Sequence, residues 1–267
     1  MYADSGFRSP TRITLAIFGL FWSAVMIAPI VVIVASSFNP RHVVFPPEGF
    51  TLEWYRRAFA AENFVRAFFL SIQIGAVAAA VSAGVALCAA IAIVRYPFRG
   101  KGVVTQLLMS PLLIPTVVIG LAIYQAAITI GVGRSFLALT IGHIIISLPF
   151  PLRTIMANLQ NTDPSLEEAA IMLGEHPVKA FFKITFPQVR MGVAGGALLS
   201  FIVSWNNYPL SIFLSTPEFA PLPVEIFFYL QWQFEPLIAA VSTITILFSI
   251  LLIFAVERMI GLSAFTK

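Results

Sequence analysis

Asp163-Pro164-Ser165-Leu166-Glu167-Glu168-Ala169-Ala170-Ile171-Met172-Leu173-Gly174-Glu175-His176-Pro177-Val178-Lys179-Ala180-Phe181-Phe182-Lys183-Ile184-Thr185-Phe186-Pro187 is a polar island between strongly hydrophobic segments. Asp163 is a good helix N-cap, and Pro164 suits the first helical position, where its missing N–H costs nothing. Glu167 and Glu168 then sit in the first turn, where the helix dipole favours negative charge. Gly174 supplies a left-handed stop. Pro177 opens a second helix, which is expected to end before Pro187. The island reads as a helix–Gly–helix hairpin.

On its first helix Leu166, Ala169, Ala170 and Leu173 fall at i, i+3, i+4 and i+7, one apolar stripe that is shallow in the middle. Small alanines let another surface approach closely, and the two glutamates flank the contact with charge. A second protein can grip such a helix. The same residues also fit a connector lying on a membrane.

Working outward, the chain has 267 residues, 59% hydrophobic and 10% charged, against about 25% charged in a typical soluble domain. The distribution of charge indicates one integral membrane bundle. Six uncharged apolar runs, residues 13–38, 67–94, 103–130, 136–152, 193–214 and 237–256, are long enough or nearly so to cross about 30 Å of hydrocarbon. The fourth is the shortest and ends in Pro149-Phe150-Pro151. A short link, 131–135, makes runs three and four a tight helical hairpin. Arg8 and Arg12 precede the first run as in a signal peptide, but that run is too long for an ordinary signal core and five more follow. It reads as an uncleaved span.

Lys and Arg set the orientation. With the N-terminus inside, the inner segments hold 11 of them and the outer segments 5, which favours both termini in the cytoplasm. The turn 95–102, with Arg95, Arg99 and Lys101 and no acid, is the clearest case. This places the 163–187 hairpin on the ATP side of the membrane. The net charge of +4 reflects this loop bias rather than nucleic-acid binding. The single Cys88 lies in an apolar run, is expected to be a small buried hydrophobe, and excludes a disulfide framework or a cysteine metal cluster.

Outside, Thr51 is placed to cap a short helix containing Trp54 and Tyr55. The last outer loop carries Phe227, Phe228, Tyr229, Trp232 and Phe234 with three acids and no base. These aromatics suit an interfacial belt, or part of a docking surface for an extracytoplasmic protein. The chain shows no internal repeat and no low-complexity tract.

Three classes compete: a subunit of an ATP-driven importer, an ion-coupled carrier and a membrane enzyme. A carrier normally keeps an ionised residue inside the membrane, and none of the six runs has one. Pro111 and Pro115 have no counterpart in a second half, as broken carrier helices would. His42, His143 and His176 fall outside, mid-membrane and inside, so they cannot converge on a metal or a catalytic base; His143 reads as a helix-packing histidine. No catalytic residue is assigned. No Gly-rich phosphate loop with Lys-Ser/Thr occurs, so ATP and Mg are expected in a separate ATPase and no cofactor in this chain. Within the fifth run, Trp205 precedes Asn206-Asn207 and Tyr208-Pro209 follows. Two adjacent amides in an apolar run are costly without partners or water, so at least one is expected to face the bundle interior or a seam with another chain. Asn206, Asn207, Trp205 and, in the third run, Tyr124 are the candidate solute path, with Gln125 a weaker companion. Interhelical hydrogen bonding is the alternative role.

Glu168-Ala169-Ala170, three residues, Gly174, nine residues, Ile184, one residue, then Phe186-Pro187 resembles the EAA signature of the membrane subunits of bacterial ATP-binding-cassette importers. That signature usually ends Ile-x-Leu-Pro, so Phe186 stands for Leu. The early outer segment Gly49-Phe50-Thr51-Leu52-Glu53-Trp54-Tyr55 and the inner turn Arg95-Tyr96-Pro97-Phe98-Arg99-Gly100-Lys101 are similar to the spermidine/putrescine-type permease group. So are Leu214-Ser215-Thr216-Pro217 and Leu222-Pro223. The resemblance implies an all-α integral membrane protein with six transmembrane helices, a type I ABC importer permease (MetI-like) bundle. It implies residues 1–64 as N-terminal tail, first span and first outer loop, 65–258 as the transport core with its coupling loop at 153–192, and 259–267 as a cytoplasmic tail. It also implies a bacterial inner-membrane location and a second permease, identical or not. Two ATPase subunits would each grip one coupling helix, and an extracytoplasmic solute-binding protein would deliver the solute. Glu167, Glu168, Ala169, Ala170, Leu173 and Gly174 are then the expected ATPase contact. Polyamine-carrying members often have acids near Ser204-Trp205, where this chain has Asn206-Asn207. A polyamine is the leading solute, and sister groups for opines or aminophosphonates stay open.

Overall fold

The structure, a computed structural model, describes residues 10–41, 45–233 and 235–260. Both terminal tails, with Arg8 and Lys267, and also His42 and Phe234, lie outside the described residues. The described chain is helical, with one isolated bridge between Thr216 and Phe219. The helices are α1 (Pro10–Ser36), α2 (Glu53–Ala60), α3 (Glu62–Arg95), α4 (Lys101–Met109), α5 (Thr116–Thr129), α6 (Phe136–Ser147) and α7 (Pro149–Gln160). They continue with α8 (Ser165–Met172), α9 (Pro177–Ala180), α10 (Phe186–Trp205), α11 (Tyr208–Leu214), α12 (Leu222–Trp232) and α13 (Pro236–Ile260).

By length and hydropathy, five helical stretches can each cross a membrane: Thr14–Ser36, Glu62–Arg95, Phe136–Gln160, Pro177–Trp205 and Pro236–Ala255. A sixth span exists if Lys101–Leu112 and Thr116–Thr129, which meet at 104°, count as one. All six expected runs thus fall on helices, but three of them differ from the expected shape, each at a proline or an amide.

The third run is bent rather than continuous. Pro111 enters a single 3-10 turn (Ser110–Leu112) and Pro115, without an N–H, starts α5 afresh. A residue before proline is pushed out of the helical region, so the break falls at Ile114. The fourth run is longer than expected. Pro149 occupies the first position of α7, where a missing N–H is harmless, and the Leu152 N–H still reaches the Leu148 carbonyl at 3.2 Å. Helices α6 and α7 therefore form one 25-residue span. The second helix of the hairpin does not stop before Pro187 either. A π turn (Phe181–Thr185), closed by the Phe186 N–H on the Phe181 carbonyl, joins α9 to α10, and Pro187 sits in the first turn of α10. The wider turn sets Pro187 where no N–H is required.

The chain divides into two compact units, residues 1–61 with 229–246, and residues 62–228 with 247–267. In the first, Leu52 rather than Thr51 holds the N-cap position of α2, and the Thr51 hydroxyl, one residue earlier, accepts the Glu53 N–H at 3.1 Å. The Trp54 indole donates to the Asn39 carbonyl at 2.8 Å, and Phe38 stacks on Phe50 at 5.1 Å.

The second unit has two apolar clusters. Ile74, Leu139, Ile146, Leu210 and Leu214 form one; Ala86, Ile93, Leu152, Ile155 and Val189 form the other. Close approach of α10 to α7 depends on glycine. A Cβ on Gly196 would lie 2.6 Å from Pro151 Cα, and one on Gly192 2.6 Å from Asn158 Nδ2. This contact lets the Thr154 hydroxyl donate to the Gly192 carbonyl at 2.9 Å, the small-residue packing that substitutes in lipid for a hydrophobic drive. A Ser82–Ser200 hydrogen bond at 2.7 Å ties α3 to α10 in the same way. Cys88, expected to be buried, is exposed on α3. In a membrane bundle an apolar side chain gains little by turning inward, so burial does not follow from hydrophobicity.

Candidate functional site

The first helix of the polar hairpin starts one residue later than expected, with Pro164 at the N-cap position and Asp163 just before it. Asp163 Oδ1 accepts the Ser165 N–H at 2.9 Å, and the Glu167 and Glu168 N–H groups bond the Pro164 carbonyl at 3.1 Å. At the other end Gly174 has φ +96°. Its N–H reaches the Ile171 carbonyl at 2.9 Å, and the Glu175 N–H reaches the Ala170 carbonyl at 3.0 Å. These two bonds make a Schellman cap. The His176 ring nitrogen Nδ1 then accepts the Val178 N–H at 3.3 Å and opens α9.

Helix α8 turns one side back and leaves the other free. Glu167 accepts a short hydrogen bond from the Thr185 hydroxyl in the π turn, and Lys183 pairs with Glu175. Arg95, at the end of α3, donates to Thr162 Oγ1 at 3.0 Å, anchoring the strand that enters the hairpin. Glu168 and Ala169 are exposed, and Leu166 is 52% and Leu173 90% exposed. Beneath α8 lies a groove of about 360 Å³ whose lining includes Val94, Tyr96, Leu159 and Ile171. The six expected contact residues are thus on one capped turn-and-helix, with Glu167 directed inward, Ala170 half-buried, and Glu168, Ala169, Leu173 and Gly174 exposed.

The Ser165 N–H and hydroxyl hold the Asp163 carboxyl below the ordinary carboxylate range, and Lys183 does the same for Glu175. A carboxylate lowered on folding stabilises the hairpin fully above its unfolded pKa, and that help is lost as pH falls through the lowered value. Asp163 is exposed, and Glu175 is half-buried but paired with an exposed Lys183, so the effect is small. Amide protection of residues 165–176 is expected to hold from neutral pH to about pH 5 and to decline below about pH 4. Protection that instead rose on acidification would contradict these contacts.

From Pro177 the helical run continues 29 residues to Trp205, about 43 Å at 1.5 Å per residue. There it breaks. Asn206 ends α10, its Nδ2 turned back to the Ile202 carbonyl at 3.2 Å, and its side chain is exposed. Asn207 starts α11, its Oδ1 accepting the Leu210 N–H at 3.0 Å. The amides are therefore at a helix break, not midway along a continuous span, and Pro209 lies within the first turn of α11.

A buried histidine holds the break in register. His143 on α6 reaches Ser204 Oγ at 2.8 Å through Nδ1 and Ser211 Oγ at 3.0 Å through Nε2, one serine on each side of the gap. The Ser211 hydroxyl donates to the Asn207 carbonyl, so it must accept from His143. The ring is accordingly the Nε2–H tautomer, and Ser204 donates to Nδ1. Sequence reasoning found His143 as a packing residue but missed its partners; the signal available was that Ser204 and Ser211, seven apart, share one helical face. Replacing His143 by leucine removes both bonds at similar volume and is expected to cost about 1–2 kcal/mol, read as a lower melting temperature of the solubilised chain. An unchanged melting temperature would make the histidine incidental.

Of the other expected path residues, Trp205 is buried. It packs on Phe68 at 5.3 Å and Phe248 at 4.6 Å between ring centroids, and its indole N–H has no partner among the described residues. Tyr124 is half-buried on α5 beneath the Arg134 guanidinium, 4.9 Å from its ring. Gln125 is exposed on α5. The structure joins Trp205, Asn206 and Asn207 at one break and gives Tyr124 a separate partner. No group of three or more metal-ligating side chains occurs among the described residues.

Residues 80–264 match the family described as binding-protein-dependent transport system inner membrane component. The chain is 31% identical over 230 residues to the spermidine/putrescine transport system permease protein PotC of Haemophilus influenzae, covering 86% of this chain and 90% of that protein. It is 30% identical over 244 residues to the putrescine transport system permease protein PotI of Escherichia coli, covering 89% and 86%. Its fold matches a chain of the crystal structure of a bacterial ABC transporter involved in the import of the acidic polysaccharide alginate. That match has a TM-score of 0.75 at 18% identity over 95% of this chain and 99% of the other. With its helical bundle, capped polar hairpin and family match across most of its length, this chain belongs to the inner membrane components of binding-protein-dependent transport systems.

Proposed function

We propose that this chain is the membrane-spanning permease subunit of an ATP-driven importer for a polyamine-like solute. It pairs with a second permease and is driven by two separate ATPase subunits, which bind the ATP and Mg; an extracytoplasmic binding protein supplies the solute. Both termini and the 163–187 hairpin lie in the cytoplasm, in keeping with the Lys and Arg bias of the loops.

The observation that carries this reading is α8. One end is closed by the Asp163 carboxylate and the other by backbone bonds at Gly174 and Glu175, yet its outward stripe, Leu166, Ala169 and Leu173, stays uncovered within the chain. Glu168, Ala169, Ala170, Leu173 and the turn at Gly174 meet the ATPase, while Glu167 positions the helix through Thr185. The hairpin's second helix runs without interruption to the break at Asn206 and Asn207. A push on α8 is thereby delivered along one rigid rod to the place where two amides meet the solute path. Trp205 forms a wall of that path, and Tyr124 lies toward its edge.

The test is to purify the assembled complex and follow uptake of 1,4-diaminobutane. Glu168→Lys is expected to lower ATPase co-purification by about tenfold or more, since it places like charge where the partner receives an acid. Uptake by the wild-type complex should survive collapse of proton and sodium gradients at constant ATP. Gradient-dependent uptake without ATP would overturn the proposal, as would normal assembly and transport in Glu168→Lys.

A further inference from the structure

We infer that the groove between the inner ends of α3, α4 and α7 binds an anionic phospholipid, its phosphate met by Arg99, Lys101 and Arg153 and its acyl chain by the apolar lining. The inference rests on the proposed topology, which puts the 95–102 turn at the cytoplasmic leaflet, and it concerns lipid rather than solute or ATPase.

The sequence leaves these bases without counterions. No Asp or Glu occurs between Glu62 and Asp163, yet Arg95, Arg99, Lys101 and Arg153 fall within that stretch on the inner side. Folding does not bring acids to them from elsewhere. The ion pairs among the described residues join Glu53 to Arg56 and Arg57, and Glu175 to Lys183. Arg95 turns to Thr162, whereas Arg99 and Arg153 are exposed and Lys101 is half-buried. An exposed guanidinium on a spanning helix is costly in lipid unless an anion meets it.

The same bases border one groove of about 600 Å³. Ile93 and Val94 at the end of α3 and Met156 on α7 are its apolar lining; Lys101, Gln106 and Gln160 are its polar lining. Arg99 is separated from Lys101 only by Gly100, which caps α4 without a side chain. The first amides of α4 therefore add partial positive charge beside Lys101. On α7, Arg153, Met156 and Gln160 fall at i, i+3 and i+7, one face of the helix. Arg153 is thus about 10 Å further along that face from Gln160, toward the membrane interior.

This combination selects the occupant. A free phosphate leaves the apolar lining bare, and a hydrocarbon chain leaves the bases unpaired. A phosphodiester carrying acyl chains satisfies both. Its headgroup has to be net negative, because the ammonium of ethanolamine would face Arg99 and Lys101 with like charge. Basic pockets between spans on the cytoplasmic side hold anionic headgroups by this means, and a lysine stem can lie on apolar surface while its ammonium reaches the phosphate. A lipid seated here joins α4 to the end of α7, three residues before Asp163, so it braces the entry to the polar hairpin.

The experiment uses the purified complete importer, with phosphatidylglycerol and phosphatidylethanolamine of identical acyl chains supplied in equal amounts. Retained lipid is counted by native mass spectrometry. Wild type is expected to retain phosphatidylglycerol about tenfold or more over phosphatidylethanolamine. Arg99→Gln, Lys101→Gln and Arg153→Gln combined should abolish that preference, and Lys101→Gln alone should reduce it about threefold. Arg66→Gln with Arg134→Gln, on the outer side, should leave it intact. Equal retention of the two lipids by wild type, or undiminished preference in the triple variant, overturns the site. So does displacement of the lipid by excess soluble glycerol 3-phosphate, which would make this a site for a free anion. A triple variant that folds but sheds the second permease assigns the charges to a protein interface and also overturns it. If the triple variant does not fold, the wild-type competition and Lys101→Gln decide. Topology is read separately: Arg99→Cys in a Cys88→Ser background should react with an impermeant maleimide only in inside-out vesicles. Labelling from the opposite side overturns the topology and the leaflet assignment together, whereas lipid indifference with the expected labelling overturns the site alone.

Discussion

Gly174→Val is expected to abolish ATP-driven uptake while leaving the chain fully inserted in the membrane. Gly174 adopts φ +96°, and a Cβ built on it meets nothing within 4 Å. The penalty is therefore one of backbone conformation alone. A β-branched side chain resists that region by about 1–3 kcal/mol, and escaping it breaks the two cap bonds on the Ile171 and Ala170 carbonyls. An eight-residue helix has little cooperative reserve against such a loss. Gly174→Asn, which tolerates the left-handed region, should retain most function. The measurement is ATPase co-purification and uptake for the two variants side by side. Equal behaviour of Val and Asn would show that the cap is not what presents α8.

Gly196→Leu is expected to have the largest effect on the bundle itself. A Cβ there lies 2.6 Å from the Cα of Pro151, which is backbone and cannot rotate away. The Thr154 bond to the Gly192 carbonyl would separate along with the helices. Overpacking of this kind costs about 1–3 kcal/mol or more, enough to lower the yield and the melting temperature of the folded chain. Gly84 supplies the internal control. It is helical with nothing within 4 Å of a Cβ, so Gly84→Ala should be neutral or raise stability by up to about 1 kcal/mol through helix propensity. Melting temperatures of the two solubilised variants, displaced in opposite directions, are the expected result; a neutral Gly196→Leu would mean that α7 and α10 are not held at this distance.

These contrasts separate what the amino-acid pattern discloses from what it conceals. Hairpin caps are local, so Asp163, Pro164 and Gly174, all within eleven residues of one another, are legible without any tertiary knowledge. Span existence was equally legible, because an uncharged run of twenty residues has few other fates. Span continuity was not. All three prolines sit at a helix start, yet the chain bends by 104° before Pro115 and runs on through Pro149 and Pro187, a difference of helix direction that residue spacing does not carry. Asn206 and Asn207 were recognised as costly amides, but their division of labour needed the direction of each side chain. The His143 bridge and the turned-in Glu167 were hidden for a further reason. Each depends on partners 61 and 18 residues away, beyond the reach of periodicity.

The π turn at Phe181–Thr185 has a consequence for the angular phase of the rod. A turn closed five residues back contains one residue more than an α turn, so every side chain beyond Thr185 is rotated by about 100° from where an unbroken α-helix would carry it. The direction in which α8 faces and the direction in which Asn206 faces are thus set relative to each other by a single inserted residue. Deleting one residue within 181–185 would leave both ends chemically intact, yet swing the amide about a quarter-turn around the axis. A one-residue deletion at this turn acts as a rotation, and compensation requires an insertion elsewhere in the same helix rather than any change of side chain.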